Sequence, residues 1–549
     1  MGDYRPQVGD HSSSSWPRRR EKATADHGGM DAIATAASTS GAPAPASAPR
    51  TLANKIAANI TNKITDKAVW LVAAAAFDVE LAFGARYGYD RDELYFLASG
   101  HHLALGGVDQ PELTPLLARL DALVTGNTLL GLRALPALMF AAMVLLTASM
   151  ARTLGADRRG QFIAALATAC CADYLGTMHE LTTTAPDFAC WTVTLLLVTK
   201  LLRGGDPRWW LAIGAAAGIG MSAKWNIGFL LGGLLLGFTL TRQAWPLLRS
   251  RYLVYGAVLC AVLAAPDFVW QATHGWPNFA VFHALQEDAW VNRVEYWPDQ
   301  VLYTSIVLVP LWIGGMAWSL RSTRFRPVGI AAVAVIVVQF VLGGKPYYPD
   351  AVYTFLFAAG AAALSATSLD ARPLRRRATV YCLAAAVASV TALPLLPAAA
   401  LASFPVQKVN YDLGEEIGWP SEVKVLATVW HSLPAAERQH AALIAANYGE
   451  AGAVDRYGTS FSLPQVYSGD NNYYFWGPPS ATDTAAVVIG TNPALLSSLL
   501  HREFKHVTQA AVYHNGLNVS DQEEGATIYV ATGLRGSWKT AWPAFKNFD

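Results

Sequence analysis

The sequence "AVWLVAAAAFDVELAF", residues 68–83, runs within a few residues into "YDRDELYFLASGHHLALGGVDQPELTP", residues 89–115. The first stretch is apolar enough to enter a bilayer. The second at once lays down Asp90, Asp92 and Glu93, then Asp109 and Glu112. Whether this is a membrane span leading into an acidic loop decides the fold, and the rest of the chain settles it. Of its 549 residues, 53% are hydrophobic and only 15% charged, with a mean hydropathy of +0.26. Soluble chains carry about 25% charged residues, so the composition is that of a membrane protein.

A membrane helix needs roughly 20 apolar residues. Runs of that kind predict about eleven spans, near 67–86, 127–150, 161–178, 185–202, 209–222, 225–241, 252–270, 300–320, 328–344, 351–368 and 379–398. The basic residues between them alternate. Arg152, Arg158 and Arg159; Lys200, Arg203 and Arg208; Arg242, Arg249 and Arg251; Arg321, Arg324 and Arg326; and Arg372, Arg375, Arg376 and Arg377 all fall on the side of the N-terminus. Basic short loops stay in the cytoplasm. The acidic loop after the first span therefore faces outward, with the long loop from Gln271 to Gln300 and everything after Ala400.

Three regions follow. Residues 1–65, rich in Ser, Ala, Pro and Gly, read as a disordered cytoplasmic tail that cannot bury a core. Residues 66–400 are the transmembrane part. Residues 401–549 read as an extracytoplasmic soluble α/β domain, with strands in "HAALIAANY", "TAAVVIG" and "GATIYVATG", a helix in "PALLSSLLHREF", and an aromatic loop in "YSGDNNYYFWGPP". The five cysteines lie in apolar runs without metal-ligand spacing and read as core residues. Nothing in composition or charge pattern points to a nucleic-acid partner.

Charges in apolar surroundings default to functional candidates, because they are costly in a bilayer. On the outer side these are Lys224 in "GIGMSAKWNIGFLL", Lys345 in "FVLGGKPYYPDA" and Arg133 in "LLGLRALPAL". Snorkelling to the headgroups is the plainer reading of each. Three cations facing Asp92 and Glu93 suggest a lipid phosphate beside an acid/base residue. Asp187, Asp267, His274, Tyr347 and Tyr348 are further candidates for a substrate cavity, Asp187 as an alternative helix cap and the aromatics near Asp267 as an alternative interfacial belt. A metal-binding reading of Asp90-Arg91-Asp92 fits poorly, since nucleotide-sugar donors are cytoplasmic. His101-His102 project to different helix faces, and His179-Glu180 lacks the second histidine of a zinc motif.

The loop "RDELYFLASGHHLALGGVDQPELTPLLARL", with "LRALPAL", "GIGMSAKWNIGFLL", "DFVWQATHGWP" and "GGKPYYPDA" after it in order, resembles the protein O-mannosyltransferase-like membrane glycosyltransferases. That family includes bacterial aminoarabinose transferases acting on lipid A and has the GT-C fold. The resemblance covers roughly residues 65–360, and "ANYGEAGAVDRYG" is similar to the C-terminal part of actinobacterial members. It implies a polyprenyl-phosphate-linked sugar as donor, used on the outer face, and a protein, glycolipid or polysaccharide acceptor. It places Asp92 on the catalytic aspartate, Glu93 on its acidic neighbour, and Lys224, Lys345 and Arg133 on basic positions of the donor phosphate side. Gln110-Pro111-Glu112 departs from the family, where Pro-Pro or Lys-Pro is usual. Single displacement with inversion is expected, with no metal and no cofactor. The competing reading is a multi-span transporter or flippase of envelope glycolipids, which would more often show two repeat-related halves.

Overall fold

The computed structural model describes residues 52–366, 371–404, 406 and 410–548, with side chains from Lys67 onward except Ala371. Residues 57–549 group into one compact unit. The tail expected over 1–65 lies outside the described residues, apart from the backbone of the helix Leu52–Phe83.

Helices dominate up to Ala392. Leu129–Leu154, Thr184–Leu202 and Arg251–Thr273 are each long and apolar enough to cross a bilayer. Two bent pairs raise the number to five if each is one span: Ile227–Leu240 with Arg242–Leu248, at 102°, and Ala289–Tyr303 with Ile306–Arg321, at 77°. Eleven long helices are therefore not what the chain builds among the described residues. The run 161–178 breaks at Cys170 into Arg158–Ala169 and Ala172–Thr177, and Trp209–Met221 has only 13 residues. The break at Cys170-Cys171 is as apolar as the helices on either side, so a hydropathy window joins there what the backbone separates.

Arg251–Thr273 shows what surrounds this bundle. Its Val254, Val258, Val262 and Val269 are exposed, a stripe at helical spacing that only lipid would cover without cost. Its other side meets Trp209–Met221 at backbone distance. A Cβ on Gly214 would lie 2.0 Å from the Gly256 carbonyl oxygen, the close approach that small residues permit between membrane helices.

The C-terminal region holds a five-stranded sheet of β1 (Ala441–Ala445), β2 (Val466–Ser468), β3 (Ala485–Gly490), β4 (Phe504–Val512) and β5 (Thr527–Leu534), in the order β2-β1-β3-β5-β4. β1 pairs in parallel with β2 and β3, whereas β5 runs antiparallel to β3 and β4. Alternate residues of β1 serve different cores, as a pleat requires. Ala442 and Ile444 pack with Leu500, Phe504 and Trp538. Leu443 and Ala445 pack with Trp419, Tyr95, Phe96 and Leu132. The second core joins the sheet to the acidic loop and to the first turn of Leu129–Leu154. The aromatic segment expected as a loop contains the short helix Asn471–Trp476.

Candidate functional site

The helix Arg91–His101 starts at Asp90 through a reciprocal cap. Asp90 Oδ1 accepts from the Asp92 amide at 2.7 Å, and Glu93 Oε2 accepts from the Asp90 amide at 3.0 Å, two orphan donors satisfied together. Successive residues of a helix project about 100° apart. Asp92 and Glu93 consequently enter different surroundings: the Asp92 side chain is 38% exposed, and that of Glu93 is 0% exposed.

Glu93 belongs to an enclosed ion cluster. Arg133 donates to it from Nε at 3.1 Å and from Nη2 at 2.8 Å, and the Leu181 amide donates at 3.2 Å. Arg133, 1% exposed, also donates from Nη1 to Glu416 at 3.1 Å and from Nη2 to the Gly88 carbonyl at 3.1 Å. His179 Nε2 lies 3.1 Å from Arg133 Nη1, and its Nδ1 lies 3.1 Å from Glu80. Burial and the Arg133 charge hold His179 well below its ordinary pKa. The neutral ring thus accepts from Arg133 at Nε2 and donates to Glu80 from Nδ1. Burial pushes the Glu416 carboxyl up to about 7, with Arg133 opposing and Glu93 adding to the rise.

Two residues singled out in the sequence meet in this cluster. Arg133 has its guanidinium committed to protein acceptors. Glu93 is its counter-ion and touches no open space. A buried pair of this kind orients its neighbours, and losing one partner strands the other charge.

Asp92 faces a different group. Its Oδ1 accepts from the Tyr448 hydroxyl at 2.9 Å, and Arg91 Nε lies 3.9 Å away. Tyr448 opens the helix Tyr448–Tyr457, which follows β1. Arg91 lies over its ring at 5.2 Å, and a Cβ on Gly449 would come within 2.4 Å of the Arg91 Cγ. Burial and the Asp92 charge raise the Tyr448 hydroxyl well above its ordinary value, with Arg91 opposing, so it stays a donor.

Lys224, Lys345, Tyr347 and Tyr348 join Asp92 through shared neighbours. The Lys224 ammonium lies 4.8 Å from the Tyr348 ring centroid, 5.3 Å from that of Tyr347, and 3.4 Å from Thr184 Oγ1. Burial, Tyr348 and the carboxylates of Asp412, Asp92 and Asp173 raise the Tyr347 hydroxyl well above its usual value. The Asp412 carboxyl is raised by its surroundings and by Asp92, and pulled back by Lys345 and Arg91. Asp92 and Asp412 thus act on each other with Arg91 and Lys345 as counter-charges, and Lys224 and Asp92 both act on Tyr347. Sequence reasoning missed Tyr448 and Asp412. "ANYGEAGAVDRYG" contained the first, and nothing local marked the second.

The remaining candidates lie apart from these groups or beside them. Asp187 accepts from Trp191 Nε1 at 2.8 Å and from Asn226 Nδ2 at 3.3 Å, near Lys224. Asp267 accepts from Trp225 Nε1 at 2.8 Å and presses on Gly106, where a Cβ would meet its Oδ1 at 2.1 Å. It is buried against the acidic loop. His274 stacks on Trp270 at 4.1 Å and meets Phe475 edge-on at 5.1 Å, in a separate aromatic cluster. No group of three or more His, Cys, Asp or Glu among the described residues is arranged to hold a metal ion.

Comparison with solved structures decides the architecture. ArnT from Cupriavidus metallidurans bound to undecaprenyl phosphate superimposes with a TM-score of 0.55 at 16% identity, over 84% of this chain and 97% of that one. The chain has the GT-C fold. The apo state of the same ArnT gives a TM-score of 0.54 at 15% identity over the same shares. A family model described as dolichyl-phosphate-mannose-protein mannosyltransferase matches residues 109–270 of this GT-C chain. No curated protein matches it. It is a polytopic helical membrane protein.

Proposed function

We propose that the chain is a membrane glycosyltransferase that moves a sugar from a polyprenyl-phosphate donor to an acceptor on the outer face of the membrane. The observation that carries this reading is a partly exposed Asp92 that shares the neighbours Tyr347 and Asp412 with the cations Lys224 and Lys345. The GT-C fold, and the undecaprenyl phosphate bound by ArnT, support a lipid phosphate as the ligand of those lysines.

Glycosyl transfer needs a nucleophile relieved of its proton and a leaving group relieved of its charge. Asp92 is the general base. It takes the proton of the acceptor hydroxyl or amine as that atom bonds to the anomeric carbon, a role typically worth about 10²–10⁴-fold. The bond from that carbon to the phosphate oxygen breaks in the same step, and the electron pair leaves with the polyprenyl phosphate. Lys224 and Lys345 stabilise the departing charge, each by about 10²–10³-fold on the scale of an oxyanion-hole donor. No covalent enzyme intermediate forms, so the anomeric configuration inverts. Tyr448 and Arg91 position the Asp92 carboxylate, and the Arg133 cluster holds the turn that presents it.

The orientation places the N-terminus in the cytoplasm and residues 401–549 outside, on the alternation of the basic loops. Mass spectrometry of lipids co-purifying with wild type and with Asp92→Asn in mild detergent tests the reading. A polyprenyl-phosphate sugar that accumulates on the variant is the expected result. If neither protein carries such a lipid, and neither binds added polyprenyl-phosphate sugars, the transferase reading fails.

A further inference from the structure

A second cavity, of about 160 Å³, lies at the far end of the helix Arg91–His101. Gln110, Trp270, His274, Asn472, Phe475 and Trp476 line it. They come from the acidic loop, the end of Arg251–Thr273 and the aromatic segment before β3. None of the groups assigned to transfer is among them.

The cavity is built, with a fixed frame around its aromatic walls. Asn472 Oδ1 accepts from the Val108 amide at 2.8 Å, and the Asn472 amide donates to the Tyr95 hydroxyl at 3.2 Å, which itself donates to Asp109 at 2.7 Å. These bonds pin the aromatic segment to the acidic loop. Trp270 and His274 stack at 4.1 Å, and Phe475 stands edge-on to both. His102 stacks on Trp476 at 4.2 Å. In this frame Gln110 is 2% exposed, and among the described residues neither its amide nitrogen nor its amide oxygen has a hydrogen-bond partner. A buried amide brings two donors and an acceptor that call for partners.

We propose that this cavity is a saccharide subsite for the acceptor, which makes the acceptor a glycan chain. The inference rests on the transferase reading above. A sugar ring offers what the walls lack. Its neighbouring hydroxyls donate to and accept from the Gln110 amide, and its C–H face lies on the aromatic rings. Cavities that combine apolar and aromatic walls with a few convergent polar groups are the usual form of a small-ligand site. From Asp92 to His102 the helix rises about 15 Å. The ring in the cavity is therefore not the one that reacts but a unit further along the same glycan, and oligosaccharides bind better than single sugars.

The intrinsic tryptophan fluorescence of the full chain in lipid nanodiscs reads this directly, because Trp270 and Trp476 line the cavity. The probes are methyl glycosides and linear oligosaccharides of mannose, arabinose, galactose and glucose, with a Ser/Thr-rich peptide as the contrasting acceptor. At least one oligosaccharide gives a saturable change, weakened about tenfold by Gln110→Leu and by Phe475→Ala and kept by Asp92→Asn. Phe475 is 37% exposed, so its truncation leaves the fold intact. The proposal is overturned if no oligosaccharide gives a saturable change, if both cavity variants bind like wild type, or if only the peptide binds. If binding fails while Asp92→Asn still accumulates a polyprenyl-phosphate sugar, the subsite falls and the transferase stands. Oligosaccharide binding with no donor lipid on any variant leaves the subsite and removes the transferase.

Discussion

Two charged clusters lie at opposite sides of one helix start, and they use the same residue types for different ends. Around Arg133, the carboxylates of Glu93 and Glu416 and the ring of His179 close every direction the guanidinium can donate. Among the described residues, one tyrosine and one distant arginine contact are what the Asp92 carboxylate holds, and neither Lys224 nor Lys345 has a carboxylate at ion-pair distance. The first arrangement spends its charge on structure. The second leaves charge unspent, and unspent charge is what a reacting substrate can use. Neighbouring residues in sequence, Asp92 and Glu93, thus have unlike roles.

That contrast breaks most visibly at Arg133. Arg133→Met strands Glu93 as a buried charge, and loss of one partner from such a pair costs about 3–5 kcal/mol. The expected outcome is a steep loss of folded protein, seen as a lowered thermal midpoint in detergent. Wild-type stability would move Arg133 back among the substrate contacts.

Lys224→Met and Lys345→Met come next. Each should slow transfer about 10²–10³-fold and leave the thermal midpoint near wild type, measured as single-turnover rates with donor saturating. A lysine whose removal lowered stability as Arg133 does would belong to the structural cluster instead. Tyr448→Phe removes one hydrogen bond, worth about 0.5–1.5 kcal/mol, and should slow transfer by about two- to tenfold through Asp92 without altering donor binding.

The gentlest effect is on pH. The Glu416 carboxyl is raised from 4.5 to about 7 in the fold, so between those values the native state holds a proton that the unfolded chain has lost. Stability therefore falls as pH rises from about 4.5 to 7. Glu416→Gln keeps a hydrogen-bond acceptor for Arg133 and removes the titration. Its thermal midpoint should vary less across that range than wild type. An unchanged slope would show that Glu416 is ionised throughout.

The sequence made some of this legible and concealed the rest for physical reasons. Alternating basic loops and apolar runs announced a membrane protein, and the long apolar strands β1, β3 and β5 announced the sheet. β2 has three residues, and β4 is an edge strand with mostly solvent-facing side chains, so neither has a hydrophobic pattern to read. Costly charges pointed to Arg133, Lys224 and Lys345 equally, since cost says that a charge needs a partner and not which partner it finds. For Arg133 the partners lie 40 and 283 residues away. For Asp92, Tyr448 lies 356 residues away. Such pairings are made by the topology, in which the sheet region closes over the acidic loop, and no local spacing encodes them.

The most direct measurement sets Asp92→Asn beside Glu93→Gln, both purified in the same detergent, with transfer rate per folded molecule and thermal midpoint read together. Asp92→Asn should lose about 10²–10⁴-fold in rate with an unchanged midpoint, and Glu93→Gln should lose midpoint first. If instead Glu93→Gln is stable and inactive while Asp92→Asn still transfers sugar, the assignment of the open carboxylate as base and the enclosed one as scaffold is contradicted.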